Sequence, residues 1–336
     1  MNESKSEGNL EELLNALGTF QSPRETCFLC GRGLLKGDYT EEHVIPQWAQ
    51  NRYELRNQEL VLLNRTSIPY RQLTVPCCDE CNRYRLKPIE DSVSQTVEAG
   101  RNAVLSLGHK VLFLWLGKIF YGILYKELLL LLDRTDPASQ TIITPAILER
   151  YQNHRFFLQQ ARQTVELVDF LPGSIFVFSM QALPERKLEW DLTDNVDTMF
   201  IGCRVGRVAL FATLADGGAQ QAYKDAYQDI GPLELHPIQF RELCAHFSYR
   251  STLATRTPKY ITIQGSPHKV HQMPLAGFST KPLFDDWDMG TYARFLAYYT
   301  GEDVARLYVP PNKVMTWLHD QNGNPRFMSF KDYPIP

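Results

Sequence analysis

The 336-residue chain lacks any excess of charge of one sign: 35 basic residues against 38 acidic ones leave a net charge of -3. No global basic field draws in a polyanion, so nucleic-acid binding has to come from a local patch. Cysteine is scarce too. Seven in a chain of this length are too few for a disulfide scaffold, and an odd number cannot all pair. No internal repeat or low-complexity tract is present, and no P-loop, G-x-G-x-x-G or G-x-S-x-G signature stands out. The start, Met1 to Leu10, is polar and acidic, with no basic stretch leading into an apolar core. That argues against a secretory signal and for a reducing, cytoplasmic setting.

What is present is ordinary in bulk. Hydrophobic residues at 44% and charged residues at 22% exclude a disordered chain, a collagen-like fibre and a coiled coil. The length points to about two domains. One run over 111–132, VLFLWLGKIFYGILYKELLLLL, is long enough for a bilayer but contains Lys118, Lys126 and Glu127. Each central lysine costs about 2.5–3.5 kcal/mol to insert. A buried helix is therefore expected there, with no membrane partner.

The expected class is α+β, in four stretches. Residues 1–23 read as a flexible leader with one short amphipathic helix around Leu10–Leu17. Residues 24–95 are dense in Cys, Arg, Pro and Asn, with short apolar runs; so little core needs a metal or disulfide staple. Residues 96–164 read as two or three helices, with prolines only at Pro137 and Pro145. Residues 165–336 are β-rich: SIFVFSMQAL, KLEWDL, TMFIGCRVGRVALFATL and KYITI carry β-branched and aromatic residues between turn formers. Gly202, Gly206 and the stretch 215–218 mark bends, and TWLHD and RFMSF around 321–324 predict a hairpin. A helix is expected over Met289–Tyr299, with Asp285, Asp286 and Asp288 as capping residues in preference to metal ligands.

The chemistry concentrates in 24–95. Cys27 and Cys30 in CFLC, with Cys78 and Cys81 in CDEC, form two C-x2-C pairs, the spacing of a tetrahedral four-thiolate zinc site. Such a site has no open position, so the zinc is expected to be structural. Cys77 duplicates Cys78 but fits the spacing less well. Between the pairs lies EEHVIP, and Asn82 follows the second pair, at the start of an expected short helix through Arg83–Lys87. In an extended strand Glu42 and His43 point to opposite sides. A carboxylate and an amide oxygen suit Mg²⁺ or Mn²⁺. A neutral histidine beside them takes a proton near pH 7.

CFLC, EEHVIP and CDECN in this order resemble the zinc-stapled HNH endonucleases, a branch of the His-Me finger (ββα-metal) nucleases. The resemblance covers only about Arg24–Asp91. It implies His43 as general base, Glu42 and Asn82 as ligands of a catalytic divalent cation, and Cys27, Cys30, Cys78 and Cys81 as ligands of structural zinc. It also implies 5′-phosphate and 3′-hydroxyl products, with DNA the commoner substrate. In that family the acidic ligand is more often Asp, and the stretch from Trp48 to Leu73 is longer than a minimal finger needs. Asn51, Asn57 and Asn64 are candidates for a loop-orienting asparagine, Asn57 being preferred.

Beside the expected cation site, Arg83, Arg85, Lys87, Arg71 and Arg65 are candidates for phosphate contacts, against the alternative of a solvated basic face. Arg85 is then expected to pair with Glu90 or Asp79. Trp48 and Tyr84 are read as packing residues in preference to base-stacking ones. A second metal cluster from Cys244, His246, His236, His268 and His271 matches no standard spacing, and Cys203 reads as a buried small hydrophobe. The expected function is a metal-dependent endonuclease acting on nucleic acid. The alternatives are a zinc module that binds nucleic acid or a partner without cutting, and a nuclease effector, such as one of bacterial defence, gated by the C-terminal region. That region is also where a protein partner or second copy is expected to dock.

Overall fold

In the computed structural model the described residues are 25–35, 37–127, 130, 145–275 and 280–334. The expected leader and its helix lie outside them, as does most of the apolar run beyond Glu127. The chain mixes α and β and divides into two compact units. The first takes 1–94, 114–166 and 264–269; the second takes 95–113, 167–263 and 270–336. The helical stretch set apart by sequence is thus shared between the units.

In the first unit β1 (Tyr39–His43) leads to α1 (Gln47–Arg52), the antiparallel pair β2 (Glu59–Val61) and β3 (Ser67–Pro69), and then β4 (Thr74–Cys78). β4 returns antiparallel to β1, with Cys78 opposite Tyr39 and Thr74 opposite His43. A wide helical turn, Glu80–Leu86, follows directly and continues as α2 (Lys87–Thr96). The order is strand, strand, helix.

After α3 (Arg101–Ser106) comes α4 (His109–Glu127), whose Trp115, Leu116, Ile119, Phe120, Tyr121 and Ile123 are all buried. A helix apolar on most sides belongs in a core, and no described helix is long and apolar enough to cross a membrane. Two glycines let neighbours approach it. A Cβ at Gly122 would stand 2.7 Å from Val44, just after β1, and one at Gly117 would stand 2.9 Å from His154. His154 lies on α5 (Pro145–Leu158) and bonds through Nε2 to the Gly117 carbonyl at 3.0 Å.

The second unit opens after β5 (Val165–Leu167) with β6 (Ser174–Met180), β7 (Trp190–Asn195), β8 (Phe200–Val205), β9 (Val208–Thr213) and β10 (Glu234–Leu235). They form a sheet in the order β10-β6-β9-β8-β7, antiparallel except for β10 beside β6. Gly206, at φ +61°, lets β8 turn straight into β9, where sequence placed a bend. Buried Cys203 sits in β8, as read.

Against the sheet lies α6 (Pro237–Thr252), capped by His236, whose Nδ1 accepts from the Ile238 N–H while Gln239 accepts from the His236 N–H. Phe176, Phe200, Phe211, Phe240 and Phe247 meet in the core between them. α7 (Met289–Thr300) begins with the Thr291 N–H donating to Asp288 at 2.7 Å, so this aspartate is a cap, as expected.

The expected hairpin at 321–324 is present but short: an antiparallel bridge between His319 and Pro325, flanked by backbone bonds from the Asp320 N–H to Asn324 and from the Arg326 N–H to Leu318, both at 2.8 Å. Other donors that would lengthen it are taken elsewhere. Asp320 accepts from the Asn322 and Asn324 N–H groups, and Glu242 accepts from those of Trp317 and Leu318. Pro325 has no N–H to give.

Burial holds the His154 pKa down to about 4. The unfolded chain protonates this side chain near pH 6.5, while the fold resists until about pH 4. Its contribution is therefore fully present above pH 6.5 and is lost as pH falls from there towards 4. The loss amounts to about 3 kcal/mol. His154→Gln should flatten that part of the profile, measured by urea unfolding at pH 7.5 and 4.5.

Candidate metal centre and its surroundings

The first cysteine pair sits on a tight knuckle. The Cys27 N–H donates to the Arg32 carbonyl at 2.9 Å and the Gly31 N–H to the Cys27 carbonyl at 2.8 Å, with Gly31 at φ +78°. The second pair bridges the end of β4 and the helical turn after it, where the Cys81 N–H points at the Cys78 sulfur at 3.4 Å. The Sγ atoms of Cys27, Cys30, Cys78 and Cys81 all lie within 4.8 Å of one another. Cys30 and Cys78 are 3.9 Å apart. With zinc–sulfur bonds of about 2.3 Å, tetrahedral ligation needs sulfurs about 3.8 Å apart. The donor set and its spacing fit Zn²⁺.

Cys77 stands 3.9 Å from Cys27 but is not one of the four. Hydrogen bonds from Cys30, Cys77 and Cys81 converge on Cys27 and hold its thiol far below the ordinary range. The same bond to Cys27 pushes Cys30 up to about 11. The thiolate is the ligand form.

β1 alternates as strands do: Glu41 is exposed and Glu42 buried, while His43 is half-buried. The face bearing Glu42 meets Lys118 of α4. The Lys118 ammonium, itself 2% exposed, contacts Glu42, Glu90 of α2 at 2.7 Å, and the carbonyls of His43 at 2.6 Å and Val44 at 3.3 Å. Burial works against the lysine's charge, but Glu42 and Glu90 outweigh it and hold its pKa above the usual lysine value. Burial pushes Glu42 up to about 7. Burial, then the Lys118 charge, lowers the pKa of His43, which keeps that ring neutral.

Asn82 reaches back to β1. Its Nδ2 donates to Thr40 Oγ1 at 3.0 Å and to the Glu41 carbonyl at 3.4 Å. Thr40 shares a strand face with Glu42, and His43 lies on the other. No hydrogen bond or ion pair among the described residues joins His43, Glu42 and Asn82 directly. The sequence did not reveal that Lys118 is the partner of Glu42. A lysine inside an apolar run signals a buried pair, but not which carboxylates form it.

The basic candidates are all engaged locally. Arg83 pairs with Asp79 at 2.6 Å, Arg85 with Glu80 at 3.1 Å and Lys87 with Asp91 at 3.0 Å. Arg71 donates to Asn57 Oδ1 and to the Arg56 carbonyl. Arg85 thus takes Glu80 where Glu90 or Asp79 was expected, because Glu90 is held by Lys118 and Asp79 by Arg83. Trp48 stacks on Trp115 at 6.4 Å with Arg52 over its ring, so it packs. Tyr84, read the same way, is 68% exposed instead, on the outer side of the helical turn. Among the described residues the four cysteines are the only group of three or more His, Cys, Asp or Glu placed to hold a metal. His236 is a cap and His246 bonds Tyr227, so the histidines near Cys244 do not gather.

Two substitutions probe this arrangement. Cys78→Ala should lose most bound zinc while Cys77→Ala keeps one equivalent, measured by elemental analysis of purified protein. Lys118→Met strands the buried Glu42 and the half-buried Glu90 and should cost about 3–5 kcal/mol in urea unfolding. Adding Glu42→Gln and Glu90→Gln to it should recover much of the loss. The chain matches no protein-family model, no curated protein and no solved structure, so the geometry carries the functional reading by itself.

Proposed function

We propose that the first unit is a metal-dependent endonuclease of the HNH, His-Me finger type, cutting nucleic-acid phosphodiester bonds, with DNA the leading substrate and the cytoplasm its setting. One observation carries the reading. The antiparallel β1–β4 pair runs straight into a helical turn, and that turn returns Asn82 to Thr40 and the Glu41 carbonyl of β1, the strand that carries Glu42 and His43, while four cysteines clamp its base. A zinc knuckle alone has no use for those three residues.

In this reading His43, kept neutral by its burial and by Lys118, accepts a proton from water through a ring nitrogen. The water oxygen bonds to phosphorus as the bond to the 3′ oxygen breaks. Glu42 and Asn82 would hold a Mg²⁺ or Mn²⁺ ion, which would supply stabilisation of the extra negative charge and of the leaving oxygen. Asn82 donates through Nδ2 to Thr40, which leaves its Oδ1 as the oxygen to offer a cation. Arg83 and Lys87 are well exposed, and exposed ion pairs are worth only about 0–1 kcal/mol, so a phosphate readily replaces their carboxylates.

A second reading, a zinc module that binds without cutting, draws on the pairing of Glu42 with Lys118, which already occupies that carboxylate. Incubation of the zinc-loaded protein with plasmid, single-stranded DNA and RNA in Mg²⁺, Mn²⁺ or EDTA separates the two. Cation-dependent cleavage is expected, falling at least about 100-fold in His43→Ala that retains its zinc. Absence of cleavage in every case would turn the assignment to the binding module.

A further inference from the structure

The second unit contains a cavity of about 410 Å³ between α6, the start of α7 and the segment 312–319. That size falls in the range of small-molecule sites. Its wall is aromatic: Tyr227, Trp287 and Tyr292 line it, with the His246 ring 4.6 Å from that of Trp287. Two of the polar groups that line it are cations. Arg250 lies over Trp287 at 5.5 Å and over Tyr223 at 4.9 Å, and has no carboxylate partner among the described residues. Lys313, exposed at the rim, likewise makes no ion pair among them. Two cations left unanswered on one cavity mark a place for an anion.

The remaining polar groups agree. Glu242 also lines the cavity, but its oxygens are committed to Thr316 at 2.5 Å and to the N–H groups of Trp317 at 2.6 Å and Leu318 at 3.2 Å. Asp229 is taken up by His319 at 2.9 Å. His246 Nδ1 is bonded to the Tyr227 hydroxyl at 2.9 Å, while its Nε2 has no partner among the described residues. That nitrogen can donate to an acceptor on a ring.

We infer that this cavity binds a small planar aromatic anion, a ring carrying a phosphate or a carboxylate. The ring lies on the Trp287–Tyr292 wall within reach of His246 Nε2, and the anion sits between Arg250 and Lys313. The guanidinium and ammonium exclude a cationic ligand, which an aromatic wall alone would welcome. Stacking on such faces and the charge contact each contribute measurably.

The test uses the full chain without added divalent cation, titrated by calorimetry and by tryptophan fluorescence. The probes are adenosine 5′-monophosphate, indole-3-acetate, adenosine and inorganic phosphate. At least one of the two aromatic anions should saturate the protein one to one, and which of them binds more tightly identifies the anionic group. Adenosine and phosphate alone should each bind at least tenfold more weakly. Lys313→Gln, on an exposed side chain without partners, should weaken binding at least fivefold, and Arg250→Gln should weaken it further. No saturable binding of either aromatic anion would overturn the inference. So would equal affinity for phosphate alone, or unchanged affinity in both variants.

Discussion

A buried ammonium must be answered on every side, and the answer to Lys118 organises the first unit. Its partners come from two other parts of the chain: Glu42 and the carbonyls of His43 and Val44 at the end of β1, and Glu90 from α2. Charge in a dry setting tolerates little misplacement, so these contacts fix where β1 stops and which way His43 faces. Gly122, one turn further along α4, accepts Val44 without a Cβ in the way. The proposed base is thus held from behind by a helix far from it in sequence.

The cysteine knuckle depends on the same wall. Its own strands are too short to bury much, and its exposed carbonyls are satisfied from outside. Tyr121 donates to the Phe28 carbonyl at 3.1 Å, and Arg155 and Gln159 donate to that of Leu29 at 3.2 and 2.9 Å. The four sulfurs join chain ends about fifty residues apart, while α4 and α5 supply the apolar surface that a small metal-stapled segment lacks.

What was legible in the sequence was local. Paired C-x2-C spacing, the Gly206 turn, the Asp288 cap and the strand segments around 174–213 each depend on residues a few positions apart. The local charge pairing was misjudged: Arg83 with Asp79 and Lys87 with Asp91 are one helical turn apart, yet Asp79 or Glu90 was expected to pair with Arg85. What could not be read was decided at long range. Lys118 and Glu42 are 76 positions apart, and the hairpin near Asn322 stays short because Glu242, some 75 positions away, claims the N–H groups of Trp317 and Leu318. For the candidate site, strand alternation foretold that Glu42 and His43 part company. It did not foretell that the Glu42 side is already held by an amine.

The division of the chain has a bearing on its synthesis. The first unit takes pieces from 1–94, 114–166 and 264–269. On a ribosome the four cluster sulfurs are all out by Cys81, whereas Lys118 and the α5 side chains that cap the knuckle follow later. Sulfur chemistry therefore has the first opportunity to close the nascent segment. Glu42 and Glu90 meanwhile remain hydrated and mutually repelling until α4 arrives to dehydrate and neutralise them together. Translation order thereby separates capture of a metal from burial of charge, and the second event cannot precede the emergence of the long apolar helix.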